Sequence, residues 1–167
     1  LKSMNRPYSR EKFLQLVSSL RSVNQNMRIS TDVIVGYPGE TEAEFEDTIS
    51  AFKQAAFEMA FIFKYSERSG TPAEKFPDKI PQEVKEERNQ KLLALLARQS
   101  EESNLKKINK TMEVLVESQA RKGRGDLMGR TRCYRKVIFE AGRDLIGQMV
   151  PVQINEASST ILKGSLV

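Results

Sequence analysis

The chain has 167 residues, with 27 Lys and Arg against 22 Asp and Glu, a net charge of +5. It contains no His and a single Cys, Cys133, which excludes imidazole chemistry, an internal disulfide and any multi-cysteine metal site built by this chain alone. No apolar run approaches the roughly 20 residues that span a bilayer, and no signal-peptide pattern opens the chain, so a soluble cytoplasmic protein with no membrane partner is expected.

Ser9 stands where it can cap a helix whose apolar positions Phe13, Leu16, Val17 and Leu20 recur at helical spacing. Residues 28–35, RISTDVIV, predict a strand apolar enough to be buried. The run ends in Gly36-Tyr37-Pro38-Gly39-Glu40, where Pro38 presets φ and Gly39 supplies the positive φ of a type II turn. Thr41 and Glu44 then form a capping-box pair ahead of a helix with Phe45, Ile49, Phe52 and Ala56 on one face. A second apolar strand, MAFIFKY, follows over residues 59–65. Residues 66–81 form a long Gly- and Pro-rich connection, and Pro81 suits the first turn of a long helix striped by Val84, Arg88, Leu92, Leu95 and Leu96.

Strands joined by helical crossovers indicate a parallel α/β sheet or barrel. Two strands are too few to close one. Opening on Leu1 rather than Met, the chain is expected to belong to a longer polypeptide whose upstream part completes the barrel. Beyond about residue 108 five short strand patterns follow, MEVLVES, LMGRTR, RKVIFE, VPVQINE and TILKGSL, which suggest a small antiparallel barrel. Charge divides the chain likewise: residues 1–105 carry 15 basic and 16 acidic residues, whereas residues 106–167 carry 12 and 6.

The basic cluster comprises Arg121, Lys122, Arg124, Arg130, Arg132, Arg135, Lys136 and Arg143, opposed between them only by Asp126 and Glu140. On an alternating strand Arg130 and Arg132 share a face, and Tyr134 offers a ring for a base to stack on. That pattern suits nucleic acid; a merely solvated surface is the alternative, and charge alone does not favour RNA over DNA. Cys133, between Arg132 and Arg135, is read as a small strand residue ahead of a reactive thiol. At the GYPGE turn, Glu40, Glu42 and Glu44 crowd a helix N-terminus, where they would repel phosphate. A ligand there would be polar or cationic; the turn also stands without one. Arg68 suits a bidentate carboxylate contact or plain exposure equally. No catalytic residue or metal ligand is assigned.

The segments ISTDVIVGYPGET, FIFKYSERSGTPA and PDKIPQEVKEER resemble the later barrel strands of the radical S-adenosylmethionine methylthiotransferases. VLVES, GRTR, VIFE, DLIGQMVPVQI and EASSTILKG resemble that family's TRAM domain, a small RNA-binding β-barrel, and LKSMNRPYSREKF resembles a segment between two barrel strands. The resemblance covers essentially the whole chain. It implies an α/β fold, the C-terminal part of a partial TIM-like radical SAM barrel over residues 1–105, followed by the TRAM β-barrel over 106–167. EASSTILKG resembles the branch that methylthiolates isopentenyladenosine beside the tRNA anticodon, which implies tRNA, through its anticodon stem-loop, as partner. A ribosomal-protein methylthiotransferase and a non-enzymatic RNA-binding module stay open as alternatives. The family uses two four-iron four-sulfur clusters; one cleaves S-adenosylmethionine to an adenosyl radical, and the other takes part in sulfur insertion. By resemblance, S-adenosylmethionine would lie partly against Ile34, Val35, Gly36, Glu40 and Tyr65, with Arg68 beside them. The cluster cysteines are absent, so this chain is expected to be inert alone.

Overall fold

A computed structural model describes residues 1–121 and 125–167, in two compact units, Leu1–Leu96 and Ala97–Val167. The first holds α1 (Arg10–Val23), β1 (Ser30–Val35), α2 (Glu42–Ala55), β2 (Met59–Lys64), a short 3-10 turn and the start of α3 (Gln82–Leu105). The division falls inside α3, ahead of the expected boundary at residue 105.

Ser9 caps α1 by accepting the Lys12 N–H. That helix turns Phe13, Leu14 and Val17 inward, whereas Leu16 and Leu20 of the predicted stripe stay exposed. The Thr41–Glu44 capping box forms in both directions and opens α2. Phe45, Phe52 and Ala55 fill its buried face. Ala56 is instead the cap at its end, in the left-handed region with φ 45°.

β1 and β2 pair in parallel, from Ser30 against Met59 to Val35 against Lys64. Val33, Val35, Ala60 and Ile62 face the helical core, with Leu92 of α3. The buried strand expected over 28–35 is covered on one face only: Ile34, Phe61 and Phe63 lie on the other, 41%, 53% and 52% exposed. All the helical packing serves one side of the sheet. No partial TIM barrel is present in this unit, which corrects that part of the expected fold; parallel α/β pairing is what holds.

The capping box gives a pH signature. The Thr41 backbone N–H, and then its hydroxyl, hold the Glu44 carboxyl below the usual carboxylate range. A group lowered by folding adds stability above its unfolded pKa and loses it as pH falls through the folded value. Thr41→Ala is expected to cost about 0.5–2 kcal/mol at neutral pH. The gap between wild type and Glu44→Ala in thermal unfolding should narrow as pH drops below the carboxylate range.

The second unit contains β3 (Thr111–Gln119), β4 (Asp126–Thr131), β5 (Lys136–Glu140), β6 (Met149–Ala157) and β7 (Leu162–Leu166). They close into a barrel in the order β3-β4-β5-β7-β6. Four of the five pairings are antiparallel; β5 and β7 run parallel, so the expected all-antiparallel barrel needs that correction. Strand alternation sends Val114, Val116, Leu127, Val137, Phe139, Val150, Val152, Ile154 and Leu162 inward. At Gly129 an added Cβ would sit 2.3 Å from the Leu115 carbonyl oxygen, so only glycine lets β4 approach β3 this closely.

Candidate nucleic-acid interface and the turn at the strand ends

The turn after β1 is of the predicted type II kind, with the Glu40 N–H donating to the Tyr37 carbonyl at 2.9 Å and Gly39 at φ 82°. Gly36, at φ 71°, donates its N–H to Glu40 Oε2 at 2.6 Å. The same oxygen accepts from Arg88 Nη1 at 2.6 Å, and Arg88 Nη2 donates to Glu42 at 3.1 Å. Arg88 is 5% exposed and lies over the Phe45 ring. The acidic crowding at this helix start is thus answered by one buried guanidinium. Sequence reasoning placed Arg88 only in an apolar stripe. An arginine at a core-facing helical position, with three glutamates at a turn, was the available signal.

The expected cofactor residues fare differently. Ile34 projects from the open face of the sheet, while the Val35 side chain is fully buried in the core, leaving only its backbone at the strand end. The Val35 carbonyl accepts the Tyr65 N–H at 2.8 Å. Glu40 has Oε2 engaged by Gly36 and Arg88. The Tyr65 ring meets Tyr37 edge-on at 5.3 Å and lies under Lys85, and its hydroxyl is buried without a hydrogen-bond partner among the described residues. Arg68 stands exposed on the connection after β2, its carbonyl accepting from Thr71. The structure thus brings Gly36, Glu40 and the Val35 and Tyr65 backbones together, and leaves Ile34 and Arg68 exposed.

On the barrel, register decides which basic residues meet. Lys136 of β5 lies opposite Arg130 of β4, Arg130 opposite Leu115 of β3, and Leu115 opposite Met149 of β6. All four point outward, giving one row of two basic and two apolar side chains across four strands. Leu115 and Met149 are 42% and 47% exposed. Arg130 pairs with Glu117 at 3.1 Å and stacks on Tyr134, its guanidinium 4.1 Å from the ring centroid. Arg132 lies just beyond β4, not on it as expected, and pairs with Glu113 at 2.6 Å, so both arginines meet carboxylates on the outer face of β3. Glu113 also raises the pKa of Arg132.

Arg135 departs from the expected surface role. It is 4% exposed, and its guanidinium donates to Asn104 Oδ1 and Ser103 Oγ at the end of α3. The residue joins helix to barrel because its position in the β4–β5 loop points inward. Arg121 and Arg143 are exposed; Lys122 and Arg124 lie outside the described residues. Missed by the sequence cluster are Lys106 and Lys110, both exposed between α3 and β3. Toward the other end of β4 and β5, on the same outward faces, lies an acidic, shallow groove lined by Asp126, Glu140, Asn155, Glu156 and Lys163, with Lys163 tied to Glu156 at 2.9 Å. Cys133 is half-buried, its Sγ 3.3 Å from the Thr131 hydroxyl.

A closed five-stranded barrel carrying a basic and apolar row across four of its strands is the form in which the family comparison becomes specific. Residues 105–167 match the TRAM domain. The match starts at the last residue of α3 and takes in every strand of the barrel. The whole chain is similar to tRNA-2-methylthio-N(6)-dimethylallyladenosine synthases. It is 47% identical to that of Opitutus terrae over 100% of this chain and 35% of the relative. For that of Clostridium botulinum the identity is 45% over 98% and 36%, and for that of Phocaeicola vulgatus 44% over 100% and 37%. The chain thus spans about a third of the length of the curated relatives it matches, and its resemblance to them runs through the unit preceding the TRAM domain as well. Among the described residues no helix is long and apolar enough to cross a membrane, and no group of His, Cys, Asp and Glu is placed to hold a metal ion.

Proposed function

We propose that this chain is the tRNA-holding portion of a methylthiotransferase acting on isopentenyladenosine beside the anticodon, and that its TRAM domain grips the anticodon stem-loop through the Lys136–Arg130–Leu115–Met149 row. The observation that carries this is the TRAM match to a barrel that bears this basic and apolar row. The whole-chain similarity to enzymes named for this modification supports the substrate. A cytoplasmic location follows from that substrate.

The two four-iron four-sulfur clusters of such an enzyme do not fit this chain, whose only cysteine is Cys133. They would belong to the upstream part of the polypeptide. For S-adenosylmethionine the fit is partial: the buried, unpartnered Tyr65 hydroxyl and the Gly36 turn are favourable, with exposed Ile34 available to an apolar part of the ligand. When bound, that cofactor supplies the radical chemistry. Within this chain the Arg88–Glu40–Gly36 contacts keep the strand-end backbone in shape, and Val35 contributes through that backbone alone. Arg68, exposed on the connection that follows Tyr65, is a further candidate contact. Upstream strands of a radical SAM barrel would complete what β1 and β2 begin.

Salt titration of RNA binding tests the interface. The chain is expected to bind an anticodon stem-loop with log affinity falling by roughly 0.7–0.9 per phosphate contacted for each decade of salt. Lys136→Ala should reduce that slope by about one contact. Absence of RNA binding at low ionic strength would refute the interface. Assay of the full-length enzyme on tRNA and on ribosomes separates this substrate from a ribosomal protein, and an intact protein that modifies neither would leave an RNA-binding module.

A further inference from the structure

We infer that Tyr134, backed by Arg130, is a seat for one unstacked base of the bound RNA, a reading that rests on the RNA-binding role proposed above and adds to it the single-stranded character of the ligand. Tyr134 is 58% exposed and adopts φ 64°. A bulky aromatic side chain rarely occupies that left-handed region, which Gly, Asn or Asp would take with less strain. The loop nevertheless holds it there. The Tyr134 N–H donates to the Thr131 carbonyl at 2.8 Å, Thr131 N–H to the Arg135 carbonyl at 3.0 Å, and Arg135 N–H to the Thr131 hydroxyl at 3.0 Å. Buried Arg135 pins the far side of the turn.

The result is a solvent-facing ring at the basic end of the β4–β5 hairpin. Its backing is planar as well, since the Arg130 guanidinium lies 4.1 Å from the ring centroid and is fixed by Glu117. With that carboxylate at 3.1 Å, Arg130 acts as a stacking plane more than as a phosphate hook. Exposed Leu115 and Met149 continue the apolar surface in the same row, and Lys136 supplies charge for the neighbouring phosphate. Bases within an A-form duplex are inaccessible to such a seat, so its ligand is a base splayed from a loop.

Tyr134→Gly separates this role from a structural one, because glycine removes the ring and relieves the left-handed backbone at once. The full 167-residue chain is titrated with a short RNA stem-loop carrying 2-aminopurine at successive loop positions. Wild type is expected to quench one of these positions on binding. Tyr134→Gly should lose that quench and about 5- to 150-fold in affinity, with the salt slope unchanged, while its melting temperature holds or rises. Tyr134→Trp should keep both affinity and quench. A perfect duplex should bind wild type and Tyr134→Gly alike. Unchanged affinity and quench in Tyr134→Gly, beside weakened binding by Lys136→Ala, would overturn the seat and leave the RNA interface intact. No RNA binding by wild type would overturn both, and binding of an apolar peptide at Tyr134 in its place would reassign the surface.

Discussion

Arg88→Ala is expected to destabilise the first unit by about 3–5 kcal/mol, the cost of leaving a buried carboxylate without its counter-charge. Arg88 and Glu40 have side chains only 7% and 11% exposed, so water does little to replace the lost partner. The guanidinium also donates to the Glu40 carbonyl and to Glu42, and it covers the Phe45 ring. Glu40 in turn holds the Gly36 N–H. Removal of one side chain therefore frees the type II turn, the start of α2 and the strand end together. Arg88→Lys should cost less, because an ammonium retains charge but not the two-pronged reach to Glu40 and Glu42. Glu40→Gln should likewise be milder, since its amide oxygen still accepts from Gly36. Urea unfolding gives the size of each effect. Hydrogen exchange should show lost protection at residues 36–45 in Arg88→Ala; unchanged exchange there would mean the ion pair is incidental to the turn.

Phe139→Ala is the second large effect, expected at about 3–5 kcal/mol. Phe139 is 2% exposed and sits within the barrel, opposite Leu127 on one neighbouring strand and Gly164 on the other. Gly164 cannot be enlarged to fill the space, since a Cβ there would come within 2.2 Å of the Gln153 carbonyl oxygen. At roughly 0.05–0.15 kcal/mol per residue, a barrel of about 60 residues holds only some 3–9 kcal/mol in all. The substitution therefore removes most of it. RNA binding should weaken at physiological temperature although no charged residue has changed, and should recover on cooling. Full retention of barrel stability in denaturant titration would show that the core repacks around the lost ring.

Local chemistry is what made much of this legible in the sequence. Ser9, the Pro38-Gly39 turn and the Thr41–Glu44 box each act within a few residues, and each forms as read. The alternation of Val150, Val152 and Ile154 likewise decides which face of β6 is buried. Illegible were the consequences of contacts far apart in the chain. Arg88 meets Glu40 across 48 positions, and its place in the α3 stripe does not say which carboxylate it meets. The burial expected of β1 holds on one face only, because coverage of its second face depends on partners that residue patterns within the strand do not encode. Parallel closure of β5 on β7 is a property of the whole barrel.

The candidate interface shows the same limit. Proximity in sequence grouped Arg135 with Arg130 and Arg132, yet the turn sends Arg135 inward to Asn104 while the other two meet β3 carboxylates. The apolar half of the row, Leu115 and Met149, carried no signal until strand register placed it beside Arg130.

One comparison tests the RNA face most directly: salt titration of stem-loop binding by wild type, Lys136→Ala and Lys163→Ala, two single-charge losses on the same barrel, one in the row and one in the acidic groove. Lys136→Ala should weaken binding and flatten the salt dependence by about one phosphate contact, whereas Lys163→Ala, in the acidic groove and paired with Glu156, should follow wild type. Equal losses from both variants, or a loss confined to Lys163→Ala, would contradict the assignment of the Lys136–Arg130–Leu115–Met149 row as the RNA face.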